Sequence, residues 1–305
     1  ILYKSSDHIQ QHTSLNFSEK MFVTSAPGKV IIFGEHSAVY YKPAIAAAAS
    51  SLRSYLLIET ENITTDVLQL SFPNLKFQHK WSIEKLSQLT DTHSLQSKSL
   101  SQSLLQTIDT TLLSDINNPL HKSAAQCFLY LYLSIIPPKY RSSLKCTLIS
   151  TLPVGAGLGS SASVSVVLSQ AFLKLAQFTL SPTLINDCAY VGEMGMHGTP
   201  SGIDNTIATY GGALQFIKDD PQNTKELFPR KPIVAILTYT RIPRSTKTLV
   251  SNVRVLCQSM PDIVEPILDS MAQVALKGGD ALQEANLEQV LQLVRINHGL
   301  LVSLG

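Results

Sequence analysis

The spacing of apolar and polar positions divides this chain into strands and helices. Residues 143–151 (SLKCTLIST) place apolar side chains at alternating positions, the period of a half-buried strand. Residues 160–178 are rich in Ala, Val, Leu and Ser with no breaker, as a buried helix is. The same reasoning predicts strands over 21–33, 53–60, 66–80 and 212–217, and helices over 117–136 and 182–195. The most apolar stretch, 124–136, is interrupted by Gln126 and closed by Pro137 and Pro138. It is too short to span a bilayer and reads as a buried helix. The Ser/Gln/Thr tract at 87–103 predicts loop or exposed helix. A polar, Pro-bearing stretch at 219–231 is the best domain boundary. After it, 233–239 reads as a strand opening a second domain, and 287–301 as a final helix. The pattern is α+β.

Composition narrows this picture. A chain of 305 residues suggests two domains, and 44% apolar residues suffice for a sizeable core. The net charge is only +2, so nothing indicates nucleic acid or an acidic partner. Cys127, Cys146, Cys188 and Cys257 lie scattered in apolar settings without metal spacing, which predicts reduced, buried thiols in a cytoplasmic protein. Residues 1–20 are polar and lack the apolar segment of a signal peptide. His8 and His12 are four apart but have no partner cluster for a metal.

Three segments carry the candidate chemistry. The run PVGAGLGSSA at 153–162 joins the strand ending near 151 to the helix starting at 160. Glycines let backbone approach closely, and a helix start offers unpaired amides and a positive dipole end, so this is a ready anion site. A tight strand–helix turn is the plainer reading of the loop alone. The GxxxxGK[ST] phosphate loop is excluded because no Lys precedes the helix. The GxGxxG dinucleotide loop is excluded because Ser160 replaces its third glycine, and GxSxG does not fit either. What remains is a phosphate loop with hydroxyls, Ser160 and Ser161, in place of the usual Lys.

The second segment, SAPGKVIIFGEH at 25–36, places Lys29 at one end of an apolar strand and Glu35 and His36 at the other. Such a strand can point charges from both ends into one cleft. On position alone, Lys29 also reads as a solvated surface lysine and His36 as an ordinary hydrogen-bonded histidine. The third segment runs GEMGMHGTPSGIDN over 192–205. Glu193 falls near the C-terminal end of a predicted helix, where the dipole disfavours a carboxylate and a metal would offset the cost. The stretch 198–202 is turn chemistry, and Asp204 then leads a second helix start; alone, Asp204 reads as an N-cap. Together these segments supply a phosphate cradle, Mg²⁺ ligands, a carboxylate and a cation, the parts of a phosphoryl-transfer site.

With these residues in view, the chain resembles the mevalonate kinase family of the GHMP superfamily. PVGAGLGSSA is similar to the superfamily's second motif, and SAPGKVIIFGEHSAVY at 25–40 to its first. HGTPSGIDN at 197–205 is the segment that singles out mevalonate kinases, and LTYTRIPRSTK at 237–247 also resembles them. The likeness covers about 21–305 and is strongest to fungal members.

The resemblance implies a two-domain GHMP fold with the active site between domains. It implies an N-terminal domain over 21–225, a partial C-terminal domain over 226–305, and a polar extension over 1–20. Gly155, Ala156, Gly157, Leu158, Gly159, Ser160 and Ser161 would hold the triphosphate of ATP. Ser161, more than Ser160, and Glu193 would be Mg²⁺ ligands. Asp204 would accept the proton of the substrate hydroxyl, and Lys29 would keep Asp204 ionised and steady the developing charge. His36, Glu35, Thr199, Arg244 and Thr246 would face mevalonate. The family activity is ATP-dependent phosphorylation of (R)-mevalonate to 5-phosphomevalonate. It is accompanied by a cytoplasmic location, a homodimer at full length and inhibition by prenyl diphosphates at the ATP site; no membrane is involved. Two alternatives stay open: another GHMP small-molecule kinase, or an inactive fragment that keeps nucleotide affinity. The second is raised by the end of the chain at Gly305, before the family's third Gly-rich motif. This predicts a partial chain whose second domain is incomplete.

Overall fold

The computed structural model describes residues 20–61, 65–89, 99–197, 200–220, 222–230, 236–240 and 246–305, the side chains of 197, 246 and 247 excepted. The described residues form one mixed sheet with helices on both faces. Strands β1 (Met21–Phe33) and β2 (Ala44–Glu59) are long antiparallel neighbours, with Lys29 opposite Ala48. β2 is shared between partners. Its second half pairs with β5 (Leu144–Ser150) and its first half with β6 (Ala213–Phe216). On the far side of β5 lie β3 (Val67–Phe72) and β4 (Phe77–Ser82), and β7 (Lys225–Leu227) follows β6. The β3–β5 pairing is parallel and the others are antiparallel.

The predicted strand over 66–80 is in fact the β3–β4 hairpin. Its turn is a short 3₁₀ segment at Pro73–Leu75, closed by Lys76 in the left-handed region at φ 52°. Pro73 supplies no amide to a ladder, so an unbroken strand cannot pass through it. The strand predicted over 53–60 is longer than expected: it extends back through the alanine run from Ala44. Of the strand predicted over 233–239, residues 231–235 lie outside the described residues, and 236–240 have no regular structure.

Helix α1 (Ile83–Gln88) follows β4, and α2 (Gln102–Thr111) follows at the end of the tract predicted as loop or exposed helix. Helix α3 (Pro119–Ile135) starts where Asn118 Oδ1 accepts from the amides of Leu120 and His121 at 2.9 and 3.2 Å, with Pro119 as its first residue. This is the expected chemistry of a helix start. Its buried residues Phe128 and Tyr132 pack against Phe172 of α4 (Ser160–Leu175). Those helices and α5 (Pro182–His197) build the larger core against Leu56, Ile58, Leu68 and Leu148 of the sheet. A short helix α6 (Ile203–Tyr210) packs beside α4.

Helices α7 (Thr246–Ser259), α8 (Pro261–Glu284) and α9 (Leu287–Leu304) complete the described chain. A second cluster forms where Val274, Ala275, Val290 and Leu293 of α8 and α9 meet Phe33, Ile45 and Leu227 of the sheet. Cys127, Cys146 and Cys188 are buried, Cys257 is half-buried, and all four are free thiols. Burial pushes the thiols of Cys127 and Cys188 up to about 12, which keeps them inert. No helix among the described residues is long and apolar enough to cross a membrane.

Candidate active site

The site is assembled by α4 docking on β1. Ser163 Oγ donates to Ala26 O at 2.8 Å, and Thr24 Oγ1 donates to Val167 O at 2.9 Å. These bonds satisfy polar groups that burial would otherwise penalise, and they fix the start of α4 beside the middle of β1. The Lys29 amide donates to Leu158 O at 2.9 Å, tying the Gly-rich loop to the same strand.

Gly155, Gly157 and Gly159 all lie in the left-handed region, at φ 72°, 73° and 67°. Gly159 is the N-cap of α4 and has no side chain to cap it, so the positive end of the helix faces the loop. A Cβ at Gly159 would lie 2.9 Å from Lys29 Cγ and 3.4 Å from Asp204 Oδ2. The loop therefore passes directly over the Lys29–Asp204 pair, and only glycine fits there.

Lys29 is 7% exposed. Its Nζ lies 3.3 Å from Asp204 Oδ1, whose side chain is 29% exposed. A buried ammonium needs such a partner, so the surface-lysine reading of Lys29 falls away. The N-cap reading of Asp204 falls away too: Gly202 occupies the cap position, and Asp204 sits in the first turn of α6. Asn205 Nδ2 donates to Asn186 Oδ1 at 2.7 Å and locks α6 to α5.

Glu193, on α5, is 4% exposed and accepts from Ser161 Oγ at 3.0 Å. Burial pushes its carboxyl up to about 8; the charge of Asp204 adds to this, while the Ser161 bond and Lys29 oppose it. A buried carboxylate near a second carboxylate holds its proton unless a cation joins it. The pair Glu193–Ser161 offers two hard oxygen donors beside the positive end of α4. That fits Mg²⁺, which takes one or two carboxylates together with phosphate oxygens. Among the described residues no group of three or more His, Cys, Asp or Glu could hold a metal alone.

At the far end of β1, Glu35 and His36 follow Gly34. Burial lowers the His36 pKa and Glu35 opposes the shift. His36 Nδ1 is buried and has no hydrogen-bond partner among the described residues. Glu35 Oε2 accepts from Asn297 Nδ2 of α9 at 3.0 Å, a contact the sequence reading did not anticipate. Its only sequence signal is a lone amide on the inward face of an apolar helix. Tyr239 was likewise missed; its hydroxyl donates to Val154 O of the Gly-rich loop at 3.4 Å. Thr199 and Arg244 lie outside the described residues, as does the side chain of Thr246, whose backbone begins α7.

The chain is similar to known proteins. Residues 120–212, which contain the Gly-rich loop, Glu193 and Asp204, match the family GHMP kinases N terminal domain. Mevalonate kinase of Saccharomyces cerevisiae is 46% identical over 93% of this chain and 73% of its own length. A Gibberella zeae mevalonate kinase is 40% identical, again over 93% of this chain but 63% of its own length. Methanococcus jannaschii mevalonate kinase shares the fold, with a TM-score of 0.67 at 19% identity over 94% of this chain and 80% of that one. The fold and site thus define a GHMP-type kinase. Within that class, the chain belongs to the mevalonate kinase family.

Proposed function

We propose that this chain transfers the γ-phosphoryl group of ATP to a hydroxyl of (R)-mevalonate, giving ADP and 5-phosphomevalonate. The observation that carries the reading is the pair of buried Lys29 and half-buried Asp204, 3.3 Å apart, directly beneath the Gly-rich start of α4. The loop 155–161 binds the triphosphate through backbone amides and the positive end of α4. The substrate oxygen attacks the γ-phosphorus while the bond to the β–γ bridging oxygen breaks, and ADP leaves. The hydroxyl proton passes to Asp204. In a loose phosphoryl-transfer transition state the proton leaves late, so placement of Asp204 matters more than its basicity. Lys29 holds Asp204 in place and steadies negative charge on the attacking oxygen and the transferring group.

Glu193 and Ser161 are the residues to hold Mg²⁺, which when bound neutralises charge on the phosphate oxygens. Glu35 and His36, at the other end of β1, face the substrate. The homodimer, prenyl diphosphate inhibition and cytoplasmic location belong to the same proposal and rest on the family resemblance. Asp204→Ala tests the assignment. Turnover should fall by at least about a hundredfold, the scale of a lost acid–base group, while ATP affinity stays nearly unchanged. Near-normal turnover in that variant would remove Asp204 from the mechanism.

A further inference from the structure

Helix α9 buries Val290, Leu293, Asn297 and Leu304. Asn297, the polar member of that face, is 4% exposed. Its Nδ2 donates to Glu35 Oε2 at 3.0 Å, and its Oδ1 is buried with no hydrogen-bond partner among the described residues. An unpaired buried acceptor destabilises the fold, and leucine in the same place would carry no such cost. Flipping the amide gives no relief, because Oδ1 would then oppose a carboxylate oxygen. Packing therefore does not explain asparagine at this position, whereas the bond to Glu35 does.

The surrounding structure is built to bring α9 this close. A Cβ on Gly278 of α8 would lie 2.4 and 2.5 Å from the Phe33 ring, so α8 presses its backbone onto the last residue of β1. Lys42, just beyond the Glu35 turn, pairs with Asp269 of the same helix. Both contacts hold the α8–α9 pair against the segment that carries Glu35 and His36.

We propose that Asn297 is a positioning residue for Glu35: its amide fixes the carboxylate at the end of β1 in the orientation that meets the substrate. This rests on the reading of Glu35 and His36 as the mevalonate-facing pair. Asn297 itself touches no reacting atom.

The experiment compares Asn297→Leu, Glu35→Ala and the double variant on the full chain. Mevalonate and ATP affinities are measured by calorimetry, and the ligand-free His36 imidazole is titrated by NMR. In Asn297→Leu, mevalonate affinity should fall about tenfold, the equivalent of ~1.4 kcal/mol, with ATP affinity within about twofold. The double variant should be no weaker than Glu35→Ala, because Asn297 acts through that carboxylate. The His36 midpoint should move in Asn297→Leu, since the neighbouring charge is no longer held, and the melting temperature should not drop. Unchanged mevalonate affinity with an unmoved His36 midpoint would overturn the proposal, as would full additivity in the double variant. If the parent chain binds no mevalonate, the functional reading fails on its own. The His36 titration then still decides whether Asn297 holds Glu35.

Discussion

Glu193 sits where a carboxylate is least at home: buried, near a helix C-terminus, and close to the charge of Asp204. Its carboxyl is raised from 4.5 to about 8, so the folded protein favours the protonated form. The stabilisation from that preference is fully present below 4.5 and is lost as pH rises through about 8. Thermal unfolding of the ligand-free protein should show this loss, and Glu193→Gln should remove it. If Glu193 holds Mg²⁺ as proposed, binding of Mg²⁺-nucleotide needs the charged form, so below about 8 it should release a proton. Calorimetry in two buffers of different ionisation enthalpy measures that proton, and Glu193→Gln should release none. Gly159→Ala should destabilise by about 1–3 kcal/mol in denaturant unfolding, because the new Cβ meets Lys29 and the left-handed backbone is strained. Lys29, Asp204, Glu193 and Ser161 were legible because each lies in a Gly-rich segment that resembles a family motif, and that resemblance, not the position of any one residue, proposes their roles. Asn297 was not legible. Its partner Glu35 is 262 positions away, and no local pattern carries a contact of that span.

At the scale of elements, regular periodicity was a good guide. The strands at 21–33 and 144–150 and the helices at 119–135, 160–175 and 182–197 lie close to their predicted limits. The reading failed where one residue interrupts an otherwise continuous pattern. The apolar positions 68, 70 and 72 give way to 75 and 77, a change of phase at Pro73, and there Pro73 and the left-handed Lys76 fold the stretch into a hairpin. Helices α7 and α8 went unread; the apolar face of α8 includes Gly278 and Gly279, which carry no hydrophobic signal but are buried against the sheet. The cap of α3 gives a clean test of element energetics. Asn118→Ala should cost about 1 kcal/mol of stability in denaturant unfolding and leave mevalonate affinity untouched, since the cap bonds only amides of its own helix.

For the molecule as a whole, one sheet joins Lys29, under the Gly-rich loop, to the strand end that leads to Glu35. One face carries α3, α4 and α5, which place the Gly-rich loop and Glu193; α8 and α9 pack on Phe33 and Ile45, beside the strand end that leads to Glu35. The division into domains at 219–231 remains a proposal; β7, at Lys225–Leu227, is paired to β6 across that stretch. Gly278→Val should separate α8 from Phe33. It should cost about 1–3 kcal/mol, typical of overpacking, and weaken mevalonate affinity more than ATP affinity because Asn297 moves with the helix pair.

The central claim is phosphoryl transfer from ATP to mevalonate, and ADP release tests it most directly. The purified chain is supplied with ATP, Mg²⁺ and (R)-mevalonate, with galactose, homoserine and phosphomevalonate as parallel acceptors. ADP should appear with mevalonate alone and should vanish in Asp204→Ala. Release with another acceptor, or equal release by Asp204→Ala, would contradict the account.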